Sequence, residues 1–192
     1  MALALVLIVL SAFWRVAAVH TPALLNFAPL MALTFCGAVY FKDKRMWLVP
    51  FVALTLSDLY LDYHYATAYG DTWSWPSVAV RLACFAFALP LGQFVAQHKN
   101  WLTVFGGALA GSILFYVATN TDAWLRDIYY AKNAAGWVQA MTTGRPEFAP
   151  TIWFFRNTLV SDLLFTGLFA GAMELAARRA GQESLLAKRV EA

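Results

Sequence analysis

The chain has 192 residues, of which 61% are hydrophobic and only 13% charged, with a formal net charge of +3. Soluble domains carry roughly a quarter charged residues, so this composition excludes an ordinary soluble domain. The basic residues fall in short clusters between apolar runs and not on one exposed face, which argues against a nucleic-acid partner. Both cysteines, Cys36 and Cys84, lie inside apolar runs, which argues against a disulfide framework or a zinc site.

Six apolar runs predict six membrane-spanning helices, at residues 2–19, 28–41, 46–62, 76–96, 101–118 and 157–177. Each run is long enough to cross most or all of a hydrocarbon core of about 30 Å. Because the runs are continuous and do not alternate, they predict helices and not barrel strands. The first run lacks a basic leader, so we interpret it as a span and not as a signal peptide. The sequence therefore predicts an all-α, polytopic integral membrane protein, a single six-helix bundle formed by residues 1–192.

The basic residues predict the orientation of this bundle. They follow the second, fourth and sixth spans, as Lys42, Lys44, Arg45, Lys99, Arg178, Arg179, Lys188 and Arg189. Lys and Arg favour the cytoplasmic side of a membrane, so both termini are predicted to be cytoplasmic.

The opposite, outer side collects aromatic residues, namely Tyr60, Tyr63, Tyr65, Tyr69, Trp73, Trp75, Trp124, Tyr129, Tyr130 and Trp137. Aromatic residues at a membrane edge usually form interfacial belts. This density also suits an aromatic mouth that receives a large, flat, partly apolar ligand. The segment 121–143 is too polar to span, and it is predicted to form one or two short helices on the outer surface. Such a segment either caps a binding site or simply connects two spans.

Two GxxxG motifs, Gly107–Gly111 and Gly167–Gly171, let helix backbones approach closely. Packing inside the bundle is the default interpretation of both motifs. Docking of a partner membrane protein is the alternative.

Arg81 and Cys84 interrupt the fourth apolar run. An ionisable residue at that depth faces a charged partner or a water-filled cavity, and Asp58, Asp62 and Asp162 are the available carboxylates. Asp58 and Asp62 are four residues apart and share one helix face, so an Asp58–Arg81 pair between adjacent helices is the simplest structural interpretation.

Cys84 lies one helical turn from Arg81 on the same face. A nearby guanidinium favours the thiolate, the soft nucleophile and metal ligand, whereas burial favours the thiol. Without a reactive role, Cys84 is a small buried hydrophobic residue. Cys36 has apolar neighbours, which favours packing beside Gly37. No HExxH, CxxC, DxDxDG or Walker A sequence occurs, so no standard metal cluster and no ATP site are predicted in this chain.

Taken with the six-span pattern and the aromatic outer side, three short motifs resemble the BtuM family of S-component-like proteins, which are associated with vitamin B12 uptake. The motifs are Asn26-Phe27-Ala28-Pro29, Ser57-Asp58 and Phe155-Arg156-Asn157-Thr158. The resemblance implies a bacterial inner-membrane transporter component that binds cobalamin, with an energy-coupling ATPase module as its partner.

The resemblance also implies that an intramembrane cysteine ligates the cobalt of cobalamin and promotes decyanation of cyanocobalamin. Cys84 is the expected cobalt ligand, and Cys36 is the alternative. The expected ligand-binding residues are Arg81, Asn26, Phe27, Asp58, Asp62, Tyr65, Trp75, Tyr130 and Arg156. Three other functions stay open: the same architecture for another vitamin, with Cys84 in packing; a membrane enzyme; or an accessory subunit held by its GxxxG faces.

Overall fold

A computed structural model describes residues 2–21, 24, 26–29, 31–69, 74–184 and 186. Across these residues the fold is all-helical, which confirms the predicted class. The helices are α1 (Ala2–Ala18), α2 (Ala32–Tyr40), a 3₁₀ turn (Lys44–Trp47), α3 (Leu48–Tyr69), α4 (Trp75–Gln97), α5 (Trp101–Arg126), α6 (Ala134–Met141) and α7 (Thr151–Arg179). Trp73 of the outer aromatic group and the basic residues Lys188 and Arg189 lie outside the described residues.

Each predicted span contains one helix, but the bounds differ from the prediction. Helix α2 has 9 residues, which at about 1.5 Å per residue covers less than half of a bilayer core. Helix α5 continues to Arg126, so only α6 is a separate short helix in the segment 121–143. Among the described residues, α4, α5 and α7 are long and apolar enough to cross a membrane, and α1 contributes a shorter apolar stretch, Leu5–Ala18.

Polar residues fix where α4 and α5 begin. The Ser74 hydroxyl accepts a hydrogen bond from the Ser77 backbone N–H and starts α4, with Pro76 in its first turn. The side chains of Asn100 and Thr103 each accept a hydrogen bond from the other residue's backbone N–H, and this capping box starts α5. The turn between α4 and α5 is therefore only three residues long, and the two helices run antiparallel against each other.

Helix α2 lies in the centre of the bundle, and all nine of its residues are buried. Phe35 of α2 packs in one hydrophobic cluster with Phe85 of α4, Val104 of α5 and Phe169 of α7. Glycines let the neighbouring backbones come close to α2. A Cβ atom at Gly92 would lie 2.6 Å from the Phe35 carbonyl oxygen, and one at Gly107 would lie 2.6 Å from the Phe35 ring. The packing interpretation of the first GxxxG motif therefore agrees with the structure.

The two ends of the bundle differ in charge and shape. At the first, here called the basic end, Lys99 lies over the Tyr40 ring at 4.8 Å and interacts electrostatically with Lys42. The 3₁₀ turn and the end of α7, with Arg178 and Arg179, contribute further basic residues. The opposite end, here called the cavity end, opens between α1, α3, α4, α5 and α7.

Replacing Gly92 with alanine should destabilise the protein because the new methyl group overlaps the Phe35 carbonyl and the Ala38 side chain, both 2.6 Å away. Overpacking of this kind costs about 1–3 kcal/mol. Gly171→Ala is the matched control, since a Cβ there meets nothing within 4 Å. Thermal unfolding in detergent should show a lower midpoint for Gly92→Ala alone. Equal midpoints for the two variants would contradict the close α2–α4 contact.

Candidate functional site

The cavity end contains a cavity of about 430 Å³ between α1, α3, α4, α5 and α7, here called the main cavity. Its wall combines charged, amide and aromatic side chains: Arg15, Asn26, Asp58, Asp62, Tyr65, Arg81, Phe115, Tyr116, Asn120, Phe154 and Phe155. Five of the residues expected to bind a ligand are in this set, namely Asn26, Asp58, Asp62, Tyr65 and Arg81. The structure therefore brings together about half of the expected site.

Four charged residues on three helices form one ion-paired cluster in the cavity wall. Asp58 of α3 accepts hydrogen bonds from Arg15 of α1 and, at 2.5 Å, from Nε of Arg81 of α4. The other side of the Arg81 guanidinium pairs with Asp62. The predicted Asp58–Arg81 pair is confirmed, and Asp62 extends it as the i,i+4 spacing on α3 allows.

Arg15 was not expected in the site. Its guanidinium is buried and also donates to the Leu54 carbonyl at 3.2 Å and to the Ser57 hydroxyl at 3.0 Å. An arginine inside an apolar helix is itself a signal of a functional or paired position, so the sequence contained the clue. Its partner could not be identified because Asp58 lies 43 residues further along the chain.

The four charges differ in how much of the cavity they face. The Arg15 and Asp58 side chains are 8% and 5% exposed, whereas those of Arg81 and Asp62 are 20% and 26% exposed. The Arg15–Asp58 contact is therefore the buried ion pair of the cluster. Arg81 and Asp62 are the more exposed pair of the four.

A second cavity of about 590 Å³ lies beside the first, and Asp62, Tyr65, Arg81 and Thr119 line both. We call it the side cavity. Within its wall, Asp122 accepts hydrogen bonds from the Ser77 hydroxyl and from Nε of Arg126, each at 2.5 Å. The two cavities therefore adjoin at these four residues of α3, α4 and α5.

The rim of the side cavity is a second charged group, formed by the loops on both sides of α6. Arg145 contacts Asp127 at 3.3 Å and Glu147 at 3.1 Å. The hydrogen bond from Arg145 lowers the pKa of the Glu147 carboxyl, and the same bond raises the pKa of Arg145. Burial raises the pKa of Tyr130, Asp127 adds to that rise, and Arg145 opposes it.

The other expected ligand-binding residues lie outside the walls of these two cavities. Phe27 packs edge-on against Trp14, Trp75 is exposed, and Tyr130 is buried against Tyr129. Arg156 is exposed and donates to the Asn157 side chain at 3.3 Å. Asn26, by contrast, lines the main cavity with a positive φ of 60°, and its carbonyl accepts from the Thr158 hydroxyl.

Both cysteines are free thiols and both are buried. Cys84 belongs to the hydrophobic cluster that includes Phe85, and it lines neither of the two cavities. Arg81, one turn away, reaches across to α3. Cobalt ligation by Cys84 stays a prediction, and so does the alternative at Cys36.

Asp162 of α7 lies one helical turn from the main cavity and is not among the residues that line it. Thr158, which lines the cavity, lies one turn closer to the opening. The Asp162 carboxylate is fully buried and accepts hydrogen bonds from the backbone N–H groups of Met31 and Ala32, each at 3.1 Å, and from the Ser112 hydroxyl at 2.6 Å. It therefore satisfies the free amides at the start of α2. No group of three His, Cys, Asp or Glu residues suited to a metal ion occurs in the described part of the chain.

Replacing Asp58 with asparagine should destabilise the protein strongly, because Arg15 and Arg81 would lose the carboxylate that they share. Removing one partner of a buried ion pair costs about 3–5 kcal/mol. Asp127→Asn applies the same change to the more exposed Arg145 pair, where the loss should be below about 1 kcal/mol. Thermal unfolding of both variants in detergent measures the difference. Similar midpoints would show that Asp58 is not a buried partner of two arginines.

A comparison with known protein families identifies the family of this chain. The model of the family of unknown function DUF6580 matches residues 1–185, and the chain belongs to that family. No curated protein and no solved structure matches the chain significantly.

Proposed function

We propose that this member of DUF6580 is the substrate-binding component of a membrane transporter. The observation that carries the proposal is the ion-paired cluster of Arg15, Asp58, Arg81 and Asp62, which lies between α1, α3 and α4 and faces a cavity. Charges inside a membrane are costly, and those that face a cavity there mark substrate or ion pathways. The Arg81–Asp62 pair presents both a donor group and an acceptor group to a ligand.

The proposed arrangement is a six-span bundle in a bacterial inner membrane with both termini in the cytoplasm. Its support is the difference between the two ends of the bundle. Lys42, Lys99, Arg178 and Arg179 lie at the basic end, which the positive-inside rule assigns to the cytoplasm. The main cavity then opens on the outer side, where a ligand arrives.

Cobalamin is the first ligand that we propose, on the basis of the BtuM resemblance. The cavities of about 430 and 590 Å³ share a wall that includes Tyr65 and Arg81, so together they offer more room than either alone. Phe115, Phe154 and Phe155 provide apolar surface for a flat macrocycle. Ligation of cobalt by Cys84 requires the ligand to displace part of the apolar packing one turn below Arg81.

A smaller polar vitamin is the second candidate. A volume of about 430 Å³ is within the usual range for a small-molecule site. Burial of Cys84 in the hydrophobic cluster agrees with a packing role for the thiol. In both cases we propose an ATPase module as a partner. The open face of α7 at Gly171, where an added Cβ meets nothing within 4 Å, is a place for close helix contact.

The visible spectrum of cyanocobalamin mixed with the purified protein tests the first candidate. If Cys84 ligates cobalt, the bound spectrum should differ from that of the free compound and cyanide should be released, since a soft thiolate replaces the upper ligand. Cys84→Ala should abolish the shift, and Cys36→Ala, the matched control, should keep it.

The outcomes of that experiment separate the candidates. Loss of the shift only in Cys36→Ala would transfer the role to Cys36. Binding of cyanocobalamin without any spectral change would remove cobalt ligation from the proposal. Absence of corrinoid binding, together with tight binding of a small vitamin that Arg81→Lys weakens, would establish the second candidate.

The orientation is tested by labelling single cysteines introduced at exposed positions in a Cys36→Ala, Cys84→Ala background. A cysteine at Ile128, which is 98% exposed beside the side cavity, should react with a membrane-impermeant maleimide in intact cells. A cysteine at exposed Glu183, beyond α7, should react only after the cells are opened. The reverse pattern would place the cavity on the cytoplasmic side.

A further inference from the structure

The wall of the side cavity contains hydrogen-bond donors that its ion pairs do not use. Its charged residues are three arginines and three aspartates, namely Arg81, Arg126, Arg145, Asp62, Asp122 and Asp127. Their formal charges cancel, so net charge does not decide what this cavity binds. The deciding feature is which hydrogen-bonding groups remain free once the pairs are made.

Two of the three carboxylates are engaged through both of their oxygens. Asp122 accepts from Nε of Arg126 and from the Ser77 hydroxyl, each at 2.5 Å. Its side chain is also only 9% exposed. Asp127 accepts from a backbone N–H group at 2.9 Å and from Arg145 at 3.3 Å. These two carboxylates therefore have little accepting capacity left for a ligand.

The arginines differ in how many of their donors are used. A guanidinium carries five N–H donors in a fixed planar arrangement. Arg145 uses both Nη groups, on Asp127 and Glu147, and its Nε is buried. Arg126 donates to Asp122 through Nε, and among the described residues its two Nη groups have no partner. Arg126 is therefore the arginine of this wall with a complete Nη fork available.

An exposed arginine is usually a solvated group, and the Arg126 side chain is 45% exposed. Arg126 differs because its Nε is tied to a buried carboxylate that Ser77 also holds. A second arginine lies in the same wall. Arg81 donates through Nε and Nη2 to aspartates of α3, and its Nη1 has no partner in the described part of the chain. Unused N–H groups from α5 and α4 thus border one cavity of about 590 Å³.

Unused guanidinium donors match an oxyanion. Arginine forms two parallel, charge-assisted hydrogen bonds to a carboxylate or a phosphate. One such fork engages both oxygens of a carboxylate, whereas a phosphate has further oxygens for a second arginine. Because the unused donors come from both Arg126 and Arg81, a phosphate group fits this wall better.

The surroundings of the cavity are apolar at its exposed edge. Ile128, which lines the cavity, is 98% exposed, and Leu125, beside Arg126, is 58% exposed. Trp75, which follows the cavity residue Ser74, is 68% exposed. Tryptophan side chains at a membrane surface lie at the level of the lipid headgroups. The phosphate group can therefore belong either to a lipid headgroup or to a free solute.

We propose that the side cavity binds a phosphate group, with Arg126 as the main donor and Arg81 as the second. This site goes beyond the proposed transport function, and it does not depend on which vitamin enters the main cavity. Arg126 lines the side cavity and is absent from the wall of the main cavity. Variants at Arg126 therefore leave the residues around the proposed vitamin site unchanged.

Thermal unfolding of the full chain in dodecylmaltoside tests the site with inorganic phosphate, which replaces chloride at constant pH and ionic strength. An ion that binds the folded state raises the unfolding midpoint, so phosphate should raise it in the wild type. Arg126→Gln should weaken the apparent Kd about tenfold or more, because charge-assisted hydrogen bonds are lost. Arg126→Lys keeps a positive charge beside Asp122 but lacks the fork, and it should weaken the Kd about threefold.

Arg179→Gln is the matched control, since it removes an exposed guanidinium at the basic end, far from the cavity. Its response to phosphate should equal that of the wild type. Acetate at the same ionic strength is the control anion and should raise the midpoint less than phosphate does.

Native mass spectrometry distinguishes the two sources of phosphate. Dioleoylphosphatidylglycerol is the lipid probe, and dioleoylglycerol, with the same acyl chains and no phosphate, is its control. If the source is a lipid headgroup, the wild type should retain the first lipid and not the second, and Arg126→Gln should lose it. A midpoint shift with inorganic phosphate and no retained lipid would assign the site to a free solute.

Three results would overturn the proposal. The first is a wild type that neither responds to inorganic phosphate nor retains the phospholipid. The second is unchanged binding in both Arg126 variants, or an equal loss in Arg179→Gln. The third is a midpoint shift with acetate as large as that with phosphate. Failure of cyanocobalamin or vitamin binding would contradict only the proposed transport function.

Discussion

The central constraint in this structure is the completely buried helix α2. A helix has unsatisfied N–H groups in its first turn, and at α2 these groups have no access to water. The Asp162 carboxylate from α7 accepts hydrogen bonds from two backbone N–H groups at this end, those of Met31 and Ala32, and Ser112 from α5 holds the same carboxylate. Three helices are thereby joined at one group, and the glycines at positions 92 and 107 let α4 and α5 close around α2.

This central packing determines where the binding site can be. Because α2 is short and fills the middle of the bundle, the space beyond its N-terminus is open at the cavity end. The main cavity lies in that space, with Thr158 near its floor and the ion-paired cluster in its wall. Arg15 and Asp58 form the buried part of the cluster. Arg81 and Asp62 form the part that is more exposed to the cavity. One part of the site is therefore buried in the protein, and the other part is accessible from the cavity.

The sequence by itself determined the helical class, the approximate position of each helix and the Asp58–Arg81 pair. The helices follow from a local rule, because the length of an apolar run defines a helix. The pair follows from the cost of a charge inside an apolar run, which requires an opposite charge nearby. It could not give the short length and central burial of α2, the continuation of α5 to Arg126, or the partners of Arg15 and Asp162. Those depend on residues far apart in the chain: Asp58 is 43 residues from Arg15, and Asp162 is 131 residues from Met31. Periodicity also placed Arg81 and Cys84 on one face. Only tertiary packing decided that the long arginine side chain reaches a cavity while the short cysteine side chain is covered by apolar neighbours.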